Sequence, residues 1–329
     1  DTLSAERGIS ISSNTISFDL PIYAGTGSDS IVEGYSLNVA SGEYSHAEGN
    51  TTKASSYCSH AEGGTTTASG MYSHAEGFLT SVSGDLSHAE GAITEARGDY
   101  SHAEGYATTA NTSGSHSEGE RTLASGYISH AEGYETSATS ESSHAEGKST
   151  LANGKFSHAE GYGTMINSNY SHAEGYNTSA SSISSVDGIT LWNGYDARHA
   201  EGAYTLANNA STHVEGFYNI ANNFGEHASG AYNISNSAST TFGNSGNTLF
   251  SVGNGTAKNA RHNAFEIRQN GDIYCSDGTN DVKLQDTITA TAANTTALGG
   301  LKLVKLTQSE YDALSPDYDS NTLYIVTDS

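Results

Sequence analysis

One phrase, Ser-His-Ala-Glu-Gly, returns every fourteen residues through most of this 329-residue chain. Its histidines are His46, His60, His74, His88, His102, His116, His130, His144, His158 and His172, and after one interruption the spacing resumes at His199, His213 and His227. An acid stands two places beyond each: Glu48, Glu62, Glu76, Glu90, Glu104, Glu118, Glu132, Glu146, Glu160 and Glu174, then Glu201 and Glu215. In the last copy Ser229 takes that place. Glycine follows each time, from Gly49 to Gly230. Threonine commonly stands six places after the histidine (Thr52, Thr66), a small residue eight places after it (Ala54, Ala68) and a second glycine ten places after it (Gly70, Gly84). A repeat this strict constrains the architecture before local propensity does, because every unit offers the same residues to the same neighbours.

Fourteen residues are too few for a helix pair or a leucine-rich repeat. They match four helical turns arithmetically, but two glycines per unit with abundant Ser, Thr and Asn make a poor helix. Two short strands joined by two tight turns fit better. Period-two alternation runs first through His and Glu, then through Thr and Ala. The glycines are expected where strands end and φ turns positive. Coils stacked about 4.8 Å apart form a parallel β-roll, and thirteen of them make a rod segment of roughly 60 Å. Identical residues then form columns along the rod. The inner residues are mostly Ala, Gly, Ser and Thr, which bury little apolar area at about 25 cal/mol per Å². Closing several chains together buries one further face of each, which argues for a trimer without by itself fixing three over two.

Composition agrees with a thin core: hydrophobic residues make up 35% of the chain, below the usual value of about 45–50%. Disorder is the alternative for a Ser-, Gly- and Thr-rich acidic chain. The strict register and the 20 regularly placed tyrosines oppose it. A net charge of -24 opposes nucleic-acid binding and docking on anionic lipid, and favours a divalent cation or a basic partner. Cys58 and Cys275 lie far apart in different segments, so no disulfide or Cys-based metal site is expected. No apolar run is long enough for a transmembrane helix, and no direct membrane insertion is expected.

On these residues the chain resembles the head domain of trimeric autotransporter adhesins, whose repeat reads approximately Asn-Ser-Val-Ala-Ile-Gly-x-x-Ala-x-Ala-x-Gly. Ser45, His46, Ala47, Glu48 and Gly49 fall on Ser-Val-Ala-Ile-Gly, Thr52 and Ala54 on the following Ala-x-Ala, and Gly70 on the second glycine of the next unit. The resemblance spans roughly residues 30–236. It implies an all-β fold: a left-handed parallel β-roll of fourteen-residue coils in an intertwined homotrimer. Related repeats occur in phage and prophage tail fibres. His and Glu replace the Val and Ile that face inward in the family. Carried over, that register places both columns at or near a subunit interface, as a ladder of charge-assisted hydrogen bonds. A structural divalent metal held by the same residues is the other reading. No other cofactor is expected. Residues 249–274, LFSVGNGTAKNARHNAFEIRQNGDIY, and the closing TQSEYDALSPDYDSNTLYIVTD resemble segments of phage tail proteins.

The chain divides into a β lead-in or cap at 1–31, roll at 32–182, an inserted loop or plug at 183–198, roll at 199–236, a β-rich trimeric segment at 237–285 and a small module at 286–329. The insertion carries Trp192, Tyr195 and Asp196. It reads either as a plug that breaks the roll or as a receptor-facing loop. In the last module, Thr307 and Glu310 form a capping box for a short helix. Thirteen equivalent histidines make a lattice, whereas catalysis needs one asymmetric pocket. Glu266, Asp272, Asp277 and Asp281 read as solvated turn residues, and no enzyme is expected. The function indicated is a fibre and receptor-binding protein of a phage or phage-like tail, located on the virion tail or extracellularly. Its partners are further copies of itself, other tail proteins and a bacterial cell-surface glycan or protein. A bacterial trimeric surface adhesin on the cell surface and a tail-associated polysaccharide depolymerase are the alternatives.

Overall fold

The residue between histidine and glutamate decides how each coil faces. Ala47, Ala61, Ala75 and their equivalents are wholly buried, as are Ala54, Ala68 and their equivalents on the opposite side of the coil. Buried serines (Ser45, Ser59) and threonines (Thr52, Thr66) complete the interior. The computed structural model describes residues 9–12, 15–18, 22–34, 37–181, 197–236, 243–276, 281–286, 302–313 and 322–326. Over most of that length it is a left-handed parallel β-solenoid with repeats of about fourteen residues. Each coil has a first strand such as His46–Asn50 and a two-residue second strand such as Lys53–Ala54. First strands stack in register, His46 on His60, Ala47 on Ala61 and Glu48 on Glu62. Second strands form a 13-stranded parallel sheet of their own, from Val39–Ala40 to Ile220–Ala221.

The core is therefore two methyl columns with a hydroxyl lining, widened among the described residues at Val32, Val82, Ile166 and Val214. Large side chains stand outside it: Tyr72, Leu86, Tyr100, Ile128 and Phe156 along one turn, Phe78, Leu79, Tyr106, Tyr162 and Tyr176 along the other.

Glycine works differently at its two places. Gly133 has φ +106, and a Cβ there would meet the Gly147 carbonyl oxygen at 2.1 Å. At the second place backbone sign is not the reason: a Cβ on Gly70 would meet the Gly84 carbonyl oxygen at 2.0 Å, so coil-to-coil contact forbids a side chain. The left-handed turn residues are instead neighbours such as Tyr72 (φ 56), Leu86 (φ 55) and Ala107 (φ 56).

The interruption does not break the roll. His172 pairs with His199, and Ser179 with Leu206, so the stack runs on past it. Trp192, Tyr195 and Asp196 lie outside the described residues. At the N-terminal end, Ile22–Ala24 runs antiparallel to Ile31–Gly34, which pairs with His46–Asn50. At the other end, Thr248–Asn254 stacks parallel on His227–Ala231. Asn263–Arg268, Ile273–Ser276 and Asp281–Lys283 then follow antiparallel. The last module pairs Lys302–Leu306 with Thr322–Val326 in parallel. Between them lies the helix Gln308–Asp312, with the capping box of Thr307 and Glu310 formed. Among the described residues, no helix is long and apolar enough to cross a membrane.

Candidate functional site: a histidine and glutamate face

Because alanine points inward, histidine and glutamate of the same strand point outward. Both are about a third exposed, as with His74 at 35% and Glu62 at 30%. Neither column enters the chain's core, unlike the apolar pair of the resembling family. A coil interior that accommodates little beyond two methyls has no volume for imidazole.

All thirteen repeat histidines, His46 to His227, form one stack, with ring centroids 4.6–5.1 Å apart and planes within 15° of parallel. Phe250 closes it edge-on at 5.2 Å. The glutamates line a shallow groove in two overlapping stretches of about 670 and 870 Å³. It runs from Glu48 to Glu215, with glycines such as Gly119 and Gly147 beside them. Glu90 and Glu174 keep the column even where their own histidines, His88 and His172, lie beyond ion-pair reach of them.

At His46, His74, His144 and His158, Nε2 faces carboxylates from its own coil and the preceding one. His74 Nε2 lies 3.6 Å from Glu62 and 3.9 Å from Glu76. His144 lies 3.8 Å from both Glu132 and Glu146, and His158 lies 3.6 Å from Glu146 and 3.8 Å from Glu160. Among these contacts only His213 to Glu201, at 3.4 Å, reaches hydrogen-bond distance. Within one chain the contacts of His74, His144 and His158 with glutamate are thus longer than hydrogen bonds. Groupings of two histidines and a glutamate, such as His60, Glu62 and His74 or His130, Glu132 and His144, have ligand atoms within 4.8 Å of one another.

The charges are unequal. Burial, and then neighbouring imidazoles, push His60, His88, His130, His144 and His199 below the usual histidine value. The same holds for His116. These rings are neutral at pH 7, so they leave carboxylate charge uncompensated. Carboxylates also act on each other: Glu118 and Glu90 raise Glu104, while Glu160 and Glu132 lower Glu146.

Residues that depart from the repeat hold the ends. Asn38 and Asn219 take the threonine place. Asn38 Nδ2 donates to Glu33 O and Gly49 O, and its Oδ1 accepts from Thr52 N. Asn219 repeats this with Glu215 O, Gly230 O and Asn233 N. Glu226 replaces the serine before the last histidine. It is buried, and its Oε2 accepts from the backbone of Asn222 and Asn223 and from Ser235 Oγ. Glu266 is not a solvated turn residue. It is 1% exposed and accepts from Asn236, Thr248 and Arg268. Asp272 pairs with Lys283 at 2.8 Å, and Asp277 lies outside the described residues. Cys58 and Cys275 are free thiols. The signal for Asn38, Asn219 and Glu226 was present: each departs from the repeat in its own register.

The fold defines an elongated repeat protein, a β-solenoid with a small C-terminal module. That module carries a family match: residues 301–327 match the family described as phage tail tip domain. No curated protein matches the chain. Together the solenoid and this match are consistent with a tail-fibre-like repeat protein.

Proposed function

We propose that the chain is a structural fibre and receptor-binding protein of a phage or phage-like tail, acting as a homotrimer on a bacterial cell-surface glycan or protein. The observation that carries the reading is the tail-tip match at residues 301–327, following a long stack of coils. In a fibre, continuous strand pairing supplies stiffness at a low cost in sequence variety. Three copies multiply weak contacts with a repetitive surface.

The trimer draws support from the outer face itself. Phe250 stands over His227 and Val252 over Ser229, so apolar residues continue the histidine and glutamate columns. Phe265, Ile267 and Ile273 extend them across the antiparallel strands. All five are only half-buried in one chain, whereas Ser251 and Glu266 take the inside. An apolar patch with a polar underside fits contact with further copies.

The test has two arms. Native mass measurement should give three chains, falling to one in Ile267→Asp; a monomeric wild type removes the trimer. Fluorescently labelled protein should bind some strains of a bacterial panel and lose them when surface glycan or protein is stripped. Uniform failure on all strains would remove receptor binding. Release of reducing ends from glycan would instead make the protein a depolymerase.

A further inference from the structure

We propose that the histidine and glutamate face binds divalent transition-metal ions of the zinc, cobalt and nickel class, in a row along the groove. The first ground is an unmet need. Nε2 is shut off from water and makes no hydrogen bond in twelve of the repeat histidines, from His46 to His199 and again at His227. A buried polar atom without a partner is costly, and twelve in register call for a common cause.

The second ground is distance. Around His74, His144 and His158, Nε2 lies 3.6–3.9 Å from a carboxylate oxygen of its own coil and one of the coil before. Those gaps are too long for hydrogen bonds. Ligand atoms bonded to one ion at about 2.0–2.2 Å stand roughly 3–4 Å from each other. Imidazoles stacked at 4.6–5.1 Å lie too far apart to share an ion without tilting. Each ion therefore takes one imidazole nitrogen and the two flanking carboxylates, with solvent completing its shell.

The third ground is chemistry. A mixed nitrogen and carboxylate set suits zinc, cobalt and nickel, whereas magnesium and calcium prefer oxygen alone. Glu62, Glu132, Glu146, Glu160 and Glu201 each flank two histidines, so adjacent sites compete for them. Twelve glutamates from Glu48 to Glu215 neutralise about six divalent ions, one for every two coils.

Cobalt(II) is the probe. The full chain, stripped of metal, is titrated by calorimetry at neutral pH, and the loaded protein is examined by X-ray absorption at the cobalt edge. The expected result is saturable uptake of about six ions, imidazole scattering in the shell, and no displacement by equimolar magnesium. Replacing His130, His144 and His158 together by Gln should remove about a quarter of the bound cobalt. An all-oxygen shell, equal competition by magnesium, or unchanged uptake in the folded triple variant overturns the proposal. Should that variant fail to fold, the absorption spectrum of the unaltered chain decides alone.

Discussion

From His46 to His227 every first strand runs parallel to its neighbour and meets the same residues above and below. Beyond Thr248–Asn254, the strands from Asn263 to Lys283 double back antiparallel and follow no repeat. The roll buries alanine, serine and threonine. The closing strands bury Ser251, Asn263 and Glu266 and leave their phenylalanines and isoleucines half outside. In the roll a side chain is selected by the coil stacked on it, in the closing unit by one particular set of partners. A substitution in the roll should act through stacking geometry, and one in the closing unit through a lost polar network.

Glycine gives the widest separation between the two regions. Gly133→Ala must fit a Cβ against the Gly147 carbonyl oxygen at 2.1 Å, at φ +106, which only moving two coils apart allows. We expect a loss on the order of 3–4 kcal/mol. Gly271→Ala in the closing unit has φ +84 but nothing within 4 Å of its Cβ. It should cost about 1 kcal/mol, the left-handed penalty alone. Denaturant titration of both variants measures the gap, and equal losses would deny that stacking governs the roll.

The second test is pH, at the junction. Burial pushes the Glu226 carboxyl up to about 7, against hydrogen bonds from Ser235 and Asn223 that pull it down. A folded value above the unfolded one means that its stabilisation is complete below about pH 4.5 and is lost as pH rises through 7. Glu226→Gln keeps an acceptor for the Asn222 and Asn223 amides and never ionises. Melting curves of variant and wild type should coincide near pH 4 and diverge above pH 7. The variant should then lead by roughly 2–3 kcal/mol. A constant difference across that range would place the carboxylate's ordinary ionisation inside the fold.

Threonine and asparagine sharpen the comparison within the roll. Ten mid-roll threonines, Thr94 among them, bury Oγ1 without a partner. Asn219, in the same register near the end, bonds three backbone groups. Thr94→Val should stabilise by about 1 kcal/mol, because a solitary buried hydroxyl is removed at constant shape, while Asn219→Thr should lose about 1–2 kcal/mol. Thermal melts that reverse these signs would mean the threonine column has partners.

Much of this was legible in the repeat. Spacing alone specifies the stack, because one strand width per coil leaves identical residues nowhere else to go. The direction each column faces was not legible from alternation, which is the same for either face. The family pattern placed His and Glu at or near a subunit interface; the volume of Ala47 against that of His46 shows which of them fills the chain's own core. Glu226 and Asn219 could have been found as departures from register. Glu266 could not, since its partners Asn236, Thr248 and Arg268 converge only through antiparallel pairing that no repeat announces.

The smallest expected effect concerns the turns. Ala107 adopts φ 56 and bonds Ala92 O through its backbone amide at 2.9 Å, so the coil-to-coil bond needs the left-handed shape but no side chain. An L-residue there pays a steric penalty that glycine avoids, partly offset by glycine's larger loss of freedom on folding. Ala107→Gly should therefore stabilise the roll by about 0.5 kcal/mol. Its counterpart Tyr100, also left-handed at φ 58, is 67% exposed. Were Tyr100→Gly to destabilise where Ala107→Gly does not, that ring would be packed against something beyond its own chain, which a matched pair of melts in dilute and concentrated protein would detect.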